Sequence, residues 1–171
     1  MNSFRFENTR FSAMIFKALD VIEIIALVGT FIGIVLGYLQ QPGYLETLMI
    51  FLSTLSATFF LRAIQPPEKS KQPADNEERL GFIEFWGITI IPKAAWIGCA
   101  MAITGILFWI LKLNGAREQL MTGSIALGVS LVIMVAFLLI QPHHAQKLMK
   151  ILYRAVPVFL TTIYLFMNTA P

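Results

Sequence analysis

Cysteine is nearly missing from this chain. Cys99 stands alone, which excludes an internal disulfide and a cysteine metal cluster and leaves small apolar packing as its role. Histidine is confined to His143 and His144, adjacent after Pro142. Neighbours on a helix point apart, and no other His or Cys supplies metal-ligand spacing. Haem held between helices would need histidines inside the apolar runs, and there are none there. Charge is scarce as well: 13% of 171 residues, about half the share of a soluble domain. Phosphate loops, zinc motifs, nucleophile elbows and kinase signatures are absent. The sequence therefore gives no reason to expect an enzyme, a cofactor or a metal.

What is present is hydrocarbon, 57% of residues. It is concentrated in four runs near the ~20 residues that a helix needs to cross a bilayer. These are Val21 to Leu39, Tyr44 to Leu61, Ala94 to Ile110 and Leu120 to Ile140. Two shorter stretches are expected to lie at the interface. Leu80 to Ile91 carries Trp86 and is closed by Pro92; Ala155 to Met167 carries Pro157 and Tyr164. A tilted fifth span from Leu148 is the rival for the last stretch, but it would bury Lys150 and Arg154 unless they snorkel. The N-terminal segment mixes Arg5, Glu7, Arg10, Lys17 and Asp20 with apolar residues, unlike a secretory signal. Neither end shows a lipidation signature.

The formal net charge of +3 does not indicate nucleic acid, because of where the cations fall. Eleven of the 13 Lys and Arg residues flank one end of the runs; Lys112 and Arg117 alone flank the other. That is the positive-inside bias. The expected placement is multi-pass in a bacterial cytoplasmic (inner) membrane, with both termini and the middle loop cytoplasmic. Basic residues beside anionic headgroups account for the charge.

The two halves resemble each other. Gly43-Tyr44-Leu45-Glu46-Thr47-Leu48-Met49 parallels Gly115-Ala116-Arg117-Glu118-Gln119-Leu120-Met121, and Ile64-Gln65-Pro66 parallels Ile140-Gln141-Pro142. Setting Gly29 and Gly33 opposite Gly98 and Ala102 makes the offset grow from 69 to 72 to 76, so small insertions are needed. The expected fold is an all-α integral membrane bundle of four transmembrane helices, with a duplicated pair of parallel hairpins and interfacial helices. Its parts are a first hairpin over 1–65, a polar linker over 66–78, a second hairpin with lead-in over 79–142 and an apolar C-terminal segment over 143–171.

Small residues recur at four-residue spacing on every span: Gly29, Gly33 and Gly37; Ser53 and Ala57; Gly98 and Ala102; Ser124 and Gly128. Such spacing leaves a groove where a second backbone approaches closely, and close packing holds helices together in lipid. One compact bundle would use all of these faces internally. The alternative is that the three-glycine face docks another subunit or a second copy.

Two carboxylates adjoin the first run. Asp20 and Glu23, three apart, share a helix face and are candidates for binding an ion or substrate; at headgroup depth they simply suit the helix's positive end. Lys93 falls near the counterpart of Glu23 in the second half, so a Glu23–Lys93 pair is expected. Breaking a buried pair costs ~3–5 kcal/mol. Glu23→Gln should then destabilise the protein and Lys93→Met should partly rescue it. Strict additivity in thermal unfolding excludes the pair.

The function expected is a non-catalytic membrane subunit that packs and scaffolds a larger assembly, its partners being the lipid bilayer and other membrane subunits or further copies. The alternative is a small oligomeric transporter or ion- or proton-conducting protein using Asp20 and Glu23.

Overall fold

The computed structural model describes residues 3–65, 86–140 and 145–168. Among them every regular element is helical: α1 (Ser3–Tyr38), α2 (Tyr44–Ile64), a π-helical turn (Trp86–Ile90), α3 (Ile91–Ile110), α4 (Ala116–Ile140) and α5 (Ala145–Asn168). Five of these helices contain a stretch long and apolar enough to cross a membrane, and there is no sheet among the described residues. The protein is a multi-pass membrane protein with five candidate spans, where the sequence pattern had suggested four. The polar linker, the first half of the interfacial lead-in and His143 and His144 lie outside the described residues.

The fifth helix makes the C-terminal stretch a candidate span, where the sequence pattern favoured an interfacial segment. Its candidate span, Leu148–Asn168, has 21 residues. Lys150 and Arg154 sit on its exposed side near the start, where long basic side chains can extend toward water. Pro157 lies within the helix without ending it. Pro92 likewise does not close a separate segment. It occupies the first turn of α3, directly after the π-helical turn. A proline ring crowds the carbonyl four residues earlier, and a widened turn relieves that crowding.

The chain forms two compact units, Met1–Thr58 and Phe59–Pro171. In the first, α1 buries a stripe made of Leu19, Glu23, Ala26, Gly29 and Gly33. These positions, three or four apart, define one helix face. In the second, α3, α4 and α5 pack mutually. Their core includes Cys99, Ile103, Leu120, Leu127 and Met134. The end of α2 groups with this unit: Phe59 meets Trp96 with ring centroids 5.2 Å apart, and the Arg62 guanidinium lies 5.5 Å from the same ring.

Helix α5 runs antiparallel to α4 along its length. Leu148 joins a cluster with Ile91, Met134 and Phe137, and Gly128 faces the Phe159 ring. The Arg117 guanidinium lies 5.9 Å from the Phe166 ring. The end of α5 therefore sits beside the α3–α4 turn.

The turns closing α1–α2 and α3–α4 have the same construction. Gln41 N–H donates to Leu36 O and Gln40 N–H to Gly37 O; Leu113 N–H donates to Phe108 O and Lys112 N–H to Trp109 O. Gln40 and Lys112 both have φ of 53°, while Gly43 and Gly115 have φ of 87° and 86°. This is a helix stop with its cap residue in the left-handed region. Every matched position is 72 residues from its partner (43 and 115, 47 and 119). The burial stripe follows the same offset: Leu19, Glu23, Ala26 and Gly33 correspond to buried Ile91, Ala95, Gly98 and Gly105. At this spacing Gly98 falls opposite Ala26, and half-buried Met101 opposite Gly29.

Candidate functional site

The small residues act differently in the two hairpins. On α1, a Cβ built on Gly29 would run into the Phe51 ring; one on Gly33 would come 2.8 Å from Leu48 Cδ2, and one on Gly37 3.0 Å from Tyr44 Cδ2. These glycines are notches that receive side chains of α2. The three-glycine face is occupied within its own hairpin.

The α3–α4 seam instead brings backbone to backbone. A Cβ on Gly98 would lie 3.0 Å from Leu127 Cα, one on Gly105 3.0 Å from Leu120 N, and one on Gly123 2.7 Å from Ala102 Cα. Three successive levels leave no room for another carbon. Gly98 and Ala102 are at this seam, where on α4 Leu127 faces Gly98 and Gly123 faces Ala102. Ser124 is half-buried, its hydroxyl donating to Met121 O at 2.9 Å, and Gly128 turns toward α5. Gly105 and Gly123 were not singled out in the sequence. The signal for Gly105 was its seven-residue separation from Gly98, which returns to the same face after two helical turns.

Glu23 and Asp20 occupy different environments despite their spacing. Glu23 is 2% exposed, in the middle of the α1 stripe; Asp20 is exposed beside buried Leu19. The contacts of Gly33 with Leu48 and Gly37 with Tyr44 set an antiparallel register that puts Glu23 level with Thr58. Thr58 is also buried, its hydroxyl donating to Thr54 O at 2.7 Å. A buried carboxylate is costly unless its environment compensates, so this position is a functional candidate. Lys93 lies half-buried in the first turn of α3, in the other compact unit. Arg62, half-buried and stacked on Trp96, had counted only as a flanking cation. A lone arginine three residues after Phe59 on an apolar helix was the available signal.

The second unit also holds an apolar cavity of about 410 Å³ between the start of α3 and the second half of α4. Among the described residues, no group of three His, Cys, Asp or Glu could hold a metal ion. No family model matches the chain, and neither the curated proteins nor the solved structures contain a match.

Proposed function

We propose that this chain is a non-catalytic subunit that packs within and scaffolds a larger membrane assembly, in the cytoplasmic membrane of a bacterial-type cell. The observation that carries this reading is where the hydroxyls point. Thr30, Thr54, Thr58, Thr104, Ser130 and Thr162 each donate to the carbonyl four residues back, at 2.7–2.9 Å. Hydroxyls bonded to their own helix are poor liners of a polar path. Large apolar side chains such as Phe31, Val132 and Leu139 face outward, a surface suited to lipid and to neighbouring helices.

The matched turns support a duplicated hairpin followed by a fifth helix. With five crossings Lys147, Lys150 and Arg154, at the start of α5, stay on the cytoplasmic side, so the positive-inside bias is kept. The C-terminal end then emerges on the other side, which replaces the expectation that both termini are cytoplasmic.

The burial of Glu23 favours a second reading, a transporter or ion- or proton-conducting protein in which this carboxylate and Asp20 bind the ion. Purification of the tagged protein in mild detergent, followed by reconstitution into proteoliposomes, separates the two. The subunit reading expects stoichiometric membrane partners and no pH-driven flux. Flux that Glu23→Gln abolishes would establish the transporter instead.

A further inference from the structure

We propose that the outward face of α5 docks a transmembrane helix of a different subunit, one that carries a carboxylate facing Lys150 and Arg154. The inference rests on the subunit reading above and adds where the partner sits and what chemistry it brings. Helical spacing defines the face. Lys150, Tyr153, Arg154 and Tyr164 are all exposed, and Tyr164 returns to the side of Tyr153 after three turns. Leu148, Ala155 and Thr162, seven apart, are buried on the other side.

The depth of this face is set by α4, the most apolar candidate span. Leu148 clusters with Met134 and Phe137, and the Phe159 ring meets Gly128. In that antiparallel register Arg154 lies close to Val132. Val132 is one turn from Gly128, the middle residue of α4, or about 6 Å at ~1.5 Å per residue. Half of a ~30 Å hydrocarbon core is ~15 Å, so the Arg154 backbone lies well inside it. At these levels the outward face of α4 is hydrocarbon, with Ile125, Val129 and Val132 exposed. Helix α5 presents two cations and two phenols over the same depths. Charges inside a bilayer normally face protein or a water-filled cavity rather than acyl chains, so this face suits a polar neighbour.

Charge selects which neighbour. Pairing α5 with its own copy about a two-fold axis would bring Arg154 to Arg154, and like charges across an interface repel. Other faces of a second copy offer little at this depth. Among the described residues the exposed carboxylates are Asp20, Glu46 and Glu118. Asp20 begins the first candidate span, and Glu46 and Glu118 occupy the first turns of α2 and α4. A different chain with Asp or Glu inside its apolar run completes the surface. The Tyr153 and Tyr164 hydroxyls supply hydrogen-bond donors along it.

The test is photo-cross-linking of the full-length protein in membranes of the cell that normally makes it. Benzoylphenylalanine replaces Tyr153 or Tyr164 and, as a lipid-facing control, Val132. Both α5 positions should give an adduct with the same membrane protein, mapped to an apolar segment containing Asp or Glu, and Val132 should not. Lys150→Gln combined with Arg154→Gln should lower the Tyr164 adduct at least about tenfold; Arg154→Gln alone serves if the double variant does not accumulate. Arg154→Glu should also lose the adduct and regain it when the partner's carboxylate is changed to Lys. Adducts with lipid alone, with a second copy or with a segment lacking an acid would each overturn the proposal. So would the same adduct from Val132, or a yield unchanged by neutralising the cations. A partner that co-purifies stoichiometrically but is not joined through α5 overturns this interface alone, whereas no co-purifying partner overturns the subunit reading with it.

Discussion

Gly123→Ala is expected to destabilise the protein by about 2–3 kcal/mol, the upper range for forcing an extra carbon into a packed interior. The new methyl would sit 2.7 Å from Ala102 Cα, where carbon atoms prefer about 3.5–4.0 Å. Both obstructing groups are main chain, so relief requires α3 and α4 to separate and to loosen the levels at Gly98 and Gly105. Gly29→Ala is the informative comparison. Its methyl meets the ring of Phe51, a half-buried side chain that can rotate away. Phe51→Ala should therefore restore most of the stability lost in Gly29→Ala, whereas no single side-chain truncation should rescue Gly123→Ala. Thermal unfolding of the four variants in one mild detergent measures this. Equal losses at the two glycines, or rescue of Gly123→Ala by trimming a neighbour, would contradict the backbone-contact description of the seam.

A single cysteine at Asn168 should react with a membrane-impermeant maleimide only from the side opposite the N-terminus. Cys99 is fully buried, so Cys99→Ala gives a quiet background in which Asn168→Cys and Ser3→Cys are compared. Intact spheroplasts and inverted vesicles expose opposite faces, and each should label one of the two positions. On the proposed five crossings the effect is all-or-none, because an odd number separates the ends. Labelling of both positions from the same face would return α5 to the membrane surface and restore an even count.

The first four helices were legible because each apolar run is broken by a turn or by charge. Gly43 and Gly115 mark two of those breaks, and both have the positive φ that favours glycine. The last helix was less legible because Lys150 and Arg154 lower its apolar character. Only the structure shows that they occupy its exposed side while Leu148 and Ala155 face inward. Aligning glycine with glycine placed Gly29 opposite Gly98, but at the 72-residue spacing of the turns the two hairpins carry residues of different size. Ala26 stands where Gly98 stands, and Phe51 where Gly123 stands. Matching like residues therefore gives a different register from matching the turns. Four-residue spacing located Gly33 and Gly98, yet it led to Ser124 and Gly128 on α4. Which small residue meets a neighbour depends on the register between helices, and that is fixed by the turn rather than by spacing within one helix.

The position of α5 also bears on how the polypeptide enters the bilayer. It is the least apolar of the five candidate spans, while α4 is the most apolar. Its inward side chains are matched to features that α4 and the start of α3 provide, such as the notch at Gly128 and the cluster around Met134. A segment of that kind gains most when its berth already exists. Synthesis in chain order supplies this, since the hairpin that receives α5 has left the ribosome before α5 does.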